Sequence, residues 1–275
     1  MSVDLRVASR ACAIITNVVI VAVFVCLPAS VQTCAADRLV RDPYGAIIRG
    51  DVSKRALALV FTGDEFGEGT PQILEALAKR HIKASFFVTG NFLRQPSLRL
   101  LVERAIAEGH YVGPHSDSHP LYASWNKRDK SLVTEEFFAK DLQRNIVDLR
   151  TVGALGKSQP ICFIPPYEHY NRDQLRWSQK LGVTLFNFTP ASGSNRDYTK
   201  EGDPHFVGAR KIYDDILAYE RKDSRGLNGF ILLMHLGSGR KDPLHPLLGQ
   251  LCDELSKRGY QFERVDRLLE AVSKP

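Results

Sequence analysis

Apolar runs of strand length alternate with helical periodicity along most of this chain. Ala56 to Thr62 is apolar nearly throughout and predicts a buried strand. Pro71 to Arg80 has an amphipathic helical pattern, with Thr70 as its expected cap and Pro71 at its first position. Ala84 to Thr89 predicts a second strand, and Pro96 to Glu108 a helix that Gly109 stops. Tyr111 and Val112 belong to a short strand. Thr134 opens a long helix to Leu149, with Glu135 and Glu136 in its first turn. Further strands are expected at Ile161–Ile164, Val183–Phe188, Gly229–Met234 and Gln261–Val265. Helices at Arg172–Lys180, Ala209–Lys222, Pro246–Lys257 and Arg267–Val272 alternate with them.

Continuous apolar strands separated by helices argue for a parallel sheet covered by helices. About seven such units favour an α/β fold, an irregular or incomplete (β/α) barrel of about seven parallel strands. An open doubly wound sheet is the alternative. In either, chemistry gathers beyond the carboxyl ends of the strands.

The residues ahead of the first strand divide in two. Arg6 and Arg10 precede an apolar run from Ala11 to Pro28, followed by small residues up to Ala36. This predicts a signal peptide over 1–36 and export to the periplasm or the medium. An uncleaved anchor is the alternative, and a lipidated Cys34 a weaker one. Residues 37–54 read as a connecting arm, and 55–275 as the catalytic domain. No later segment resembles a membrane span. Only Cys162 and Cys252 lie outside the leader; they either pair or remain buried thiols, and they are too few for a structural zinc site.

The net charge is +6, and +5 once Arg6, Arg10 and Asp4 are removed with the leader. The basic residues are dispersed, which argues against nucleic acid as a partner. An anionic cell-wall polymer remains compatible.

The strand ends carry the chemistry. After Val112 comes His115-Ser116-Asp117-Ser118-His119-Pro120, two imidazoles four residues apart; they either share one metal ion across a single helical turn or sit exposed in a polar loop. The first strand runs into Asp64-Glu65, two carboxylates that are costly at a buried strand exit without a positive neighbour. Pro165-Pro166-Tyr167-Glu168 can aim the Tyr167 amide and the Glu168 carboxylate into a cleft. Asn187 and Phe188 suit a sugar site, and Ser192 to Tyr198 a substrate rim. His235 ends a strongly apolar strand, where a group titrating near neutrality can serve as a general acid. His81 and His110 read as structural, and His169 as an outer neighbour of the site.

Taken together, these segments resemble the polysaccharide deacetylases (the NodB-homology domain, carbohydrate esterase family 4) over Arg55 to Leu269. The carriers are His115-Ser116-Asp117-Ser118-His119-Pro120, Ala84-Ser85-Phe86-Phe87-Val88, Pro165-Pro166-Tyr167 and Leu232-Leu233-Met234-His235. There are departures. The family's Phe-Asp-Asp-Gly is here Phe61-Thr62-Gly63-Asp64-Glu65, with the acidic pair displaced by two positions. The family's Arg and Gly flanking Pro-Pro-Tyr are Ile164 and Glu168.

The resemblance implies a metal-dependent hydrolase that removes N-acetyl or O-acetyl groups from a polysaccharide or amino-sugar glycan. The expected divalent metal is zinc, held by Asp64, His115 and His119. Glu65, Asp64 or Glu168 would be the base, the Tyr167 amide an oxyanion donor and His235 the acid, with Tyr167, Asn187 and Phe188 on the substrate. The alternatives are a non-catalytic carbohydrate-binding relic, or a hydrolase of another C–N bond with the same metal site.

Overall fold

The computed structural model describes residues 39–270; the expected signal peptide lies outside them. The strands are β1 (Val40–Arg41), β2 (Ile47–Arg49), β3 (Ala56–Gly63), β4 (Ser85–Val88), β5 (Tyr111–Pro114), β6 (Ile161–Phe163), β7 (Val183–Leu185), β8 (Phe230–His235) and β9 (Gln261–Phe262). The helices are α1 (Thr70–Ala78), α2 (Gly90–Arg94), α3 (Pro96–Ala107), α4 (Glu135–Thr151), α5 (Arg172–Lys180), α6 (Ala209–Lys222), α7 (His245–Lys257) and α8 (Val265–Glu270).

All eight residues of β3 are buried, as a strand covered on both faces requires. It pairs in parallel with β4, β8 and β9, and β4 pairs in parallel with β5. β6 and β7 form a separate parallel pair. The seven strands β3–β9 thus have only parallel partners among themselves, in an incomplete (β/α) barrel.

Two seams explain why the barrel is incomplete. β5 and β6 share no ladder among the described residues. The Cys162 N–H instead donates to the Tyr111 hydroxyl at 2.8 Å. Gly113 permits this approach, because a Cβ there would lie 3.0 Å from the Cys162 carbonyl and closer still to the Phe87 and Tyr111 rings. On the other side, the described part of the expected arm, residues 39–54, does more than connect. β2 pairs antiparallel with β8 and bridges through Ile47 to Phe186, so the arm fills the gap between β7 and β8.

Most helix boundaries agree with the pattern. Thr134 caps α4 by accepting the Phe137 N–H, and Asn171 and Gln174 form a capping box on α5. Thr70 corrects its expected role. Gly69 is the cap residue of α1, and the Thr70 hydroxyl is buried with no hydrogen-bond partner. The five-residue α2 is unanticipated; Thr89 caps it by accepting the Phe92 N–H. Cys162 and Cys252 are free and buried.

Register delivers the chemistry to one end. Thr62 lies opposite His235 on one side and Phe87 on the other. The loops after β3, β5, β6 and β8 therefore open onto the same rim.

Candidate active site

The rim encloses a cleft of about 650 Å³, lined among others by Asp64, Glu65, His115, His119, Tyr167, Glu168, Phe188 and His235. The expected residues thus meet, with the exception of Asn187.

Asp64 sits just beyond β3. Its Oδ1 accepts from the Thr89 hydroxyl at 2.8 Å and the Asn91 amide at 3.1 Å. Its Oδ2 lies 3.7 Å from His119 Nδ1. The second imidazole, His115, is buried, and its Nδ1–H donates to the Ile164 carbonyl at 2.8 Å. That bond fixes the tautomer and leaves Nε2 with a free lone pair. Burial, and the charge His119 would carry, push the His115 pKa well below the ordinary histidine value. Burial likewise lowers His119, against the pull of Asp64. Both shifts favour the neutral ring, the form that ligates metals.

The expected helical turn between the two histidines is absent. Ser116 and His119 instead adopt left-handed backbone angles, φ 77° and 53°, and this irregular loop brings the rings to 5.1 Å between centroids. A helical turn is unnecessary because α4 supplies an external frame. Asp141 accepts from the Asp117 and Ser118 N–H groups, the Ser118 hydroxyl and the Tyr122 hydroxyl. One turn along, the Asn145 side-chain oxygen accepts the His115 N–H at 3.0 Å. Arg94 pairs with Asp117 at 2.6 Å from the α2 side.

Two imidazoles and a carboxylate suit a divalent cation such as zinc. Their neutral state and the free His115 Nε2 fit that use. Among the described residues, however, no three His, Cys, Asp or Glu side chains are drawn to a common point at which an ion could sit. The expected set of Asp64, His115 and His119 fits in chemistry and neighbourhood, without closed coordination.

Across the cleft, the His235 Nδ1–H donates to Asp197 Oδ1 at 2.7 Å, and the His235 backbone N–H donates to Oδ2 at 2.9 Å. Burial works to lower the His235 pKa, but the charge and hydrogen bond of Asp197, helped by Glu168, raise it above the ordinary value. The protonated ring can then offer Nε2–H to a leaving group.

The loop after β6 is strained. Tyr167 and Glu168 are consecutive non-glycine residues at φ 58° and 52°. Such backbone costs about 1–3 kcal/mol per residue and persists only where its surroundings enforce it. Here the Glu168 N–H donates to the Pro165 carbonyl at 2.9 Å, and the Asn187 amide donates to the Glu168 carbonyl at 2.7 Å. Asn187 is therefore corrected from substrate ligand to support. It is 8% exposed, its side-chain oxygen accepts the Phe188 N–H, and it does not line the cleft. The Tyr167 N–H has no backbone acceptor among the described residues. Burial raises the Glu168 pKa to about 7, with His235 opposing and Asp197 adding to the rise.

Aromatic rings line the approaches. Trp125 and Tyr167 are 59% and 47% exposed; Trp125 lies against His169 at 4.0 Å between centroids, and Tyr167 against His119 at 4.5 Å. Lys200 lies over the Phe66 ring at 4.5 Å.

The sequence model of the family described as polysaccharide deacetylase matches residues 49–186, half of the chain. The chain belongs to the polysaccharide deacetylase family. The family match ends before Asp197 and His235, but relatives align further. A peptidoglycan-N-acetylmuramic acid deacetylase of Bacillus subtilis is 25% identical over 83% of this chain and 76% of its own. A peptidoglycan-N-acetylglucosamine deacetylase of Bacillus cereus is 25% identical over 79% of this chain and 89% of its own. Among solved structures, the Bacillus subtilis family 4 carbohydrate esterase superposes with a TM-score of 0.64 at 24% identity, over 82% of this chain and 85% of its own. A family 4 pseudoenzyme from Bacillus anthracis superposes with the same score at 19% identity, over 82% and 69%. These superpositions bear on the fold.

For this polysaccharide deacetylase-family chain, residue patterns do not single out Asp141, Asn145 or Trp125, and they place Asp197 only within the substrate-rim stretch 192–198. Asp141 and Asn145 did leave a signal. They are polar residues four apart on the helix face that also carries Phe138, Leu142 and Leu149. The pairing of Asp197 with His235 left none, since a 3₁₀ turn in a polar loop brings the two together.

Proposed function

We propose that this protein is a metal-dependent deacetylase that removes N-acetyl, or O-acetyl, groups from a polysaccharide or amino-sugar glycan, with cell-wall peptidoglycan or chito-oligosaccharide as the substrate class. One observation carries this reading. A pair of neutral imidazoles with a carboxylate faces a hydrogen-bonded His–Asp pair across a single cleft, flanked by exposed aromatic rings. The names of the relatives support the substrate class.

Asp64, His115 and His119 would hold a divalent cation, zinc by ligand type. When bound, the cation supplies Lewis-acid chemistry: it polarises an acyl oxygen and makes water more acidic. The protein's own groups supply the rest. The free Tyr167 N–H donates to the developing oxyanion, a contribution of about 3 kcal/mol for one such donor. A cleft carboxylate takes a proton from water. His235, oriented by Asp197, protonates the departing amine. The rings of Trp125, Tyr167 and Phe188 present apolar faces to sugar rings.

The test assays the purified protein for bound metal and for acetate released from acetylated chito-oligosaccharides and from peptidoglycan. Metal together with acetate is expected. Metal without acetate from any glycan would point to a hydrolase of another bond, and the absence of both to a carbohydrate-binding protein. In His119→Ala, metal content should collapse; unchanged content would remove that ligand.

A further inference from the structure

We infer that Glu168 is the general base, the carboxylate that takes the proton from the attacking water, and that it works as a pair with His235. This rests on the deacetylase reading above. Three carboxylates line the cleft, Asp64, Glu65 and Glu168. Asp64 is the proposed ligand, and its Oδ1 is already occupied by Thr89 and Asn91 while its Oδ2 lies beside His119. Glu65 is exposed, and among the described residues its side chain has no hydrogen-bond partner that would fix it. Near the end of β3, in register with His235, stands Thr62. Its buried hydroxyl has no partner among the described residues, and an alcohol is too weakly acidic to be present as the basic alkoxide.

Glu168 is set apart from Asp64 by a carboxylate that makes no hydrogen bond among the described residues, so its lone pairs are available to water, and from Glu65 by a half-buried position in a clamped turn. Its backbone holds a left-handed conformation that glycine would adopt without strain, yet Pro165 and Asn187 clamp it there. A charged side chain in a position suited to glycine, with neighbours enforcing it, is the pattern of strain retained for function. Its pKa near 7 matches a base that must be ionised yet basic at neutral pH.

The proton balance follows. Water loses one proton to Glu168 as its oxygen bonds to the acyl carbon. The C–N bond then breaks, and the nitrogen takes the proton from His235 Nε2. The products are the amine and acetic acid, which ionises in solution. Glu168 is left protonated and His235 neutral. Each group's charge acts on the other's titration, so returning the proton from Glu168 to His235 resets both.

The full-length wild type, Glu168→Gln, Glu168→Gly and Glu65→Gln are assayed for acetate release, with metal content measured in each. Glu168→Gln should keep wild-type metal content and KM while kcat falls by roughly 10²–10⁴-fold. Glu65→Gln, at the rival carboxylate, should lose far less kcat than Glu168→Gln. Glu168→Gly relieves the backbone and so keeps the test valid should the Gln variant misfold. It should be equally inactive and regain rate when formate is added to fill the vacated space. Glu168→Gln retaining more than about a tenth of kcat, losing its metal, or matching Glu65→Gln would overturn the assignment while leaving the deacetylase reading intact. A wild type that releases no acetate would overturn both.

Discussion

Two loops on the cleft rim present functional side chains in opposite ways. The 115–120 loop is held by satisfied polar contacts: four donors converge on Asp141, a fifth bond runs to Asn145, and Arg94 neutralises Asp117. The 165–169 loop is held under strain. Two consecutive residues have positive φ, an unpartnered carboxylate is half-buried, and one amide from Asn187 steadies the turn. In the first loop, function and stability draw on the same contacts. In the second, the functional residue costs stability, and so its replacement should act with the opposite sign.

The largest effect is expected at Asp141. Asp141→Ala leaves two backbone N–H groups and two hydroxyls without their acceptor in a buried setting. Unfolding free energy should fall by about 3–5 kcal/mol, read from urea denaturation, with metal uptake reduced as the loop loosens. A loss under 1 kcal/mol would show that the loop does not depend on this frame.

Glu168 should behave inversely. Its pKa rises from about 4.5 to about 7 on folding, so the folded state holds the proton more tightly. The charged form destabilises the fold as pH climbs from 4.5 to 7, and the penalty is constant above that. Glu168→Gln should therefore be more stable than wild type by roughly 2–3 kcal/mol at pH 8.5 and indistinguishable at pH 4, with both unfolded in urea with EDTA present. Equal stability at both pH values would remove the desolvated reading of this carboxylate.

The contrast also explains what was legible in the residues. Strands β3, β4, β5 and β8 were readable because burial on both faces leaves continuous apolar runs. His115, His119 and His235 were readable because each follows such a run. The frame behind them was not, because Asp141, Asn145 and Asp197 act across 19 to 38 residues of sequence separation, and no local pattern encodes that distance. Asn187 was misassigned for a related reason. An Asn after a strand can face a substrate or a neighbouring backbone, and only the fold brings the Glu168 carbonyl within its reach. The residues 37–54 looked like a linker because β1 and β2 span two and three residues, too few to show a period.

A third comparison lies within the acid. Asp197→Asn removes the charge that opposes burial around His235, so the ring should titrate below the ordinary histidine range, where wild type titrates above it. NMR titration of the ring protons reads this directly. The raised His235 value also means that the pair stabilises the fold fully below about pH 6.5 and loses this contribution as pH rises through the folded value. The variant should thus lose about 1–2 kcal/mol at pH 5.5 and little at pH 9. A loss that does not vary with pH would mean that the contact is structural and independent of the charge on the ring.

The smallest stability effect is expected outside both loops, at Trp125. Its ring is more than half exposed and rests on His169 at 4.0 Å, with Tyr167 edge-on at 6.3 Å. Trp125→Ala removes little buried area, so unfolding free energy should change by less than about 0.5 kcal/mol. A sugar ring stacked there would lose its platform in ground state and transition state alike. KM for an acetylated oligosaccharide should then rise about tenfold with kcat unchanged, the kinetic sign of uniform binding. Unchanged KM would place the glycan along the other aromatic approach, past Phe66 and Tyr198. A fall in kcat at constant KM would instead show that Trp125 acts through Tyr167 on the strained loop itself.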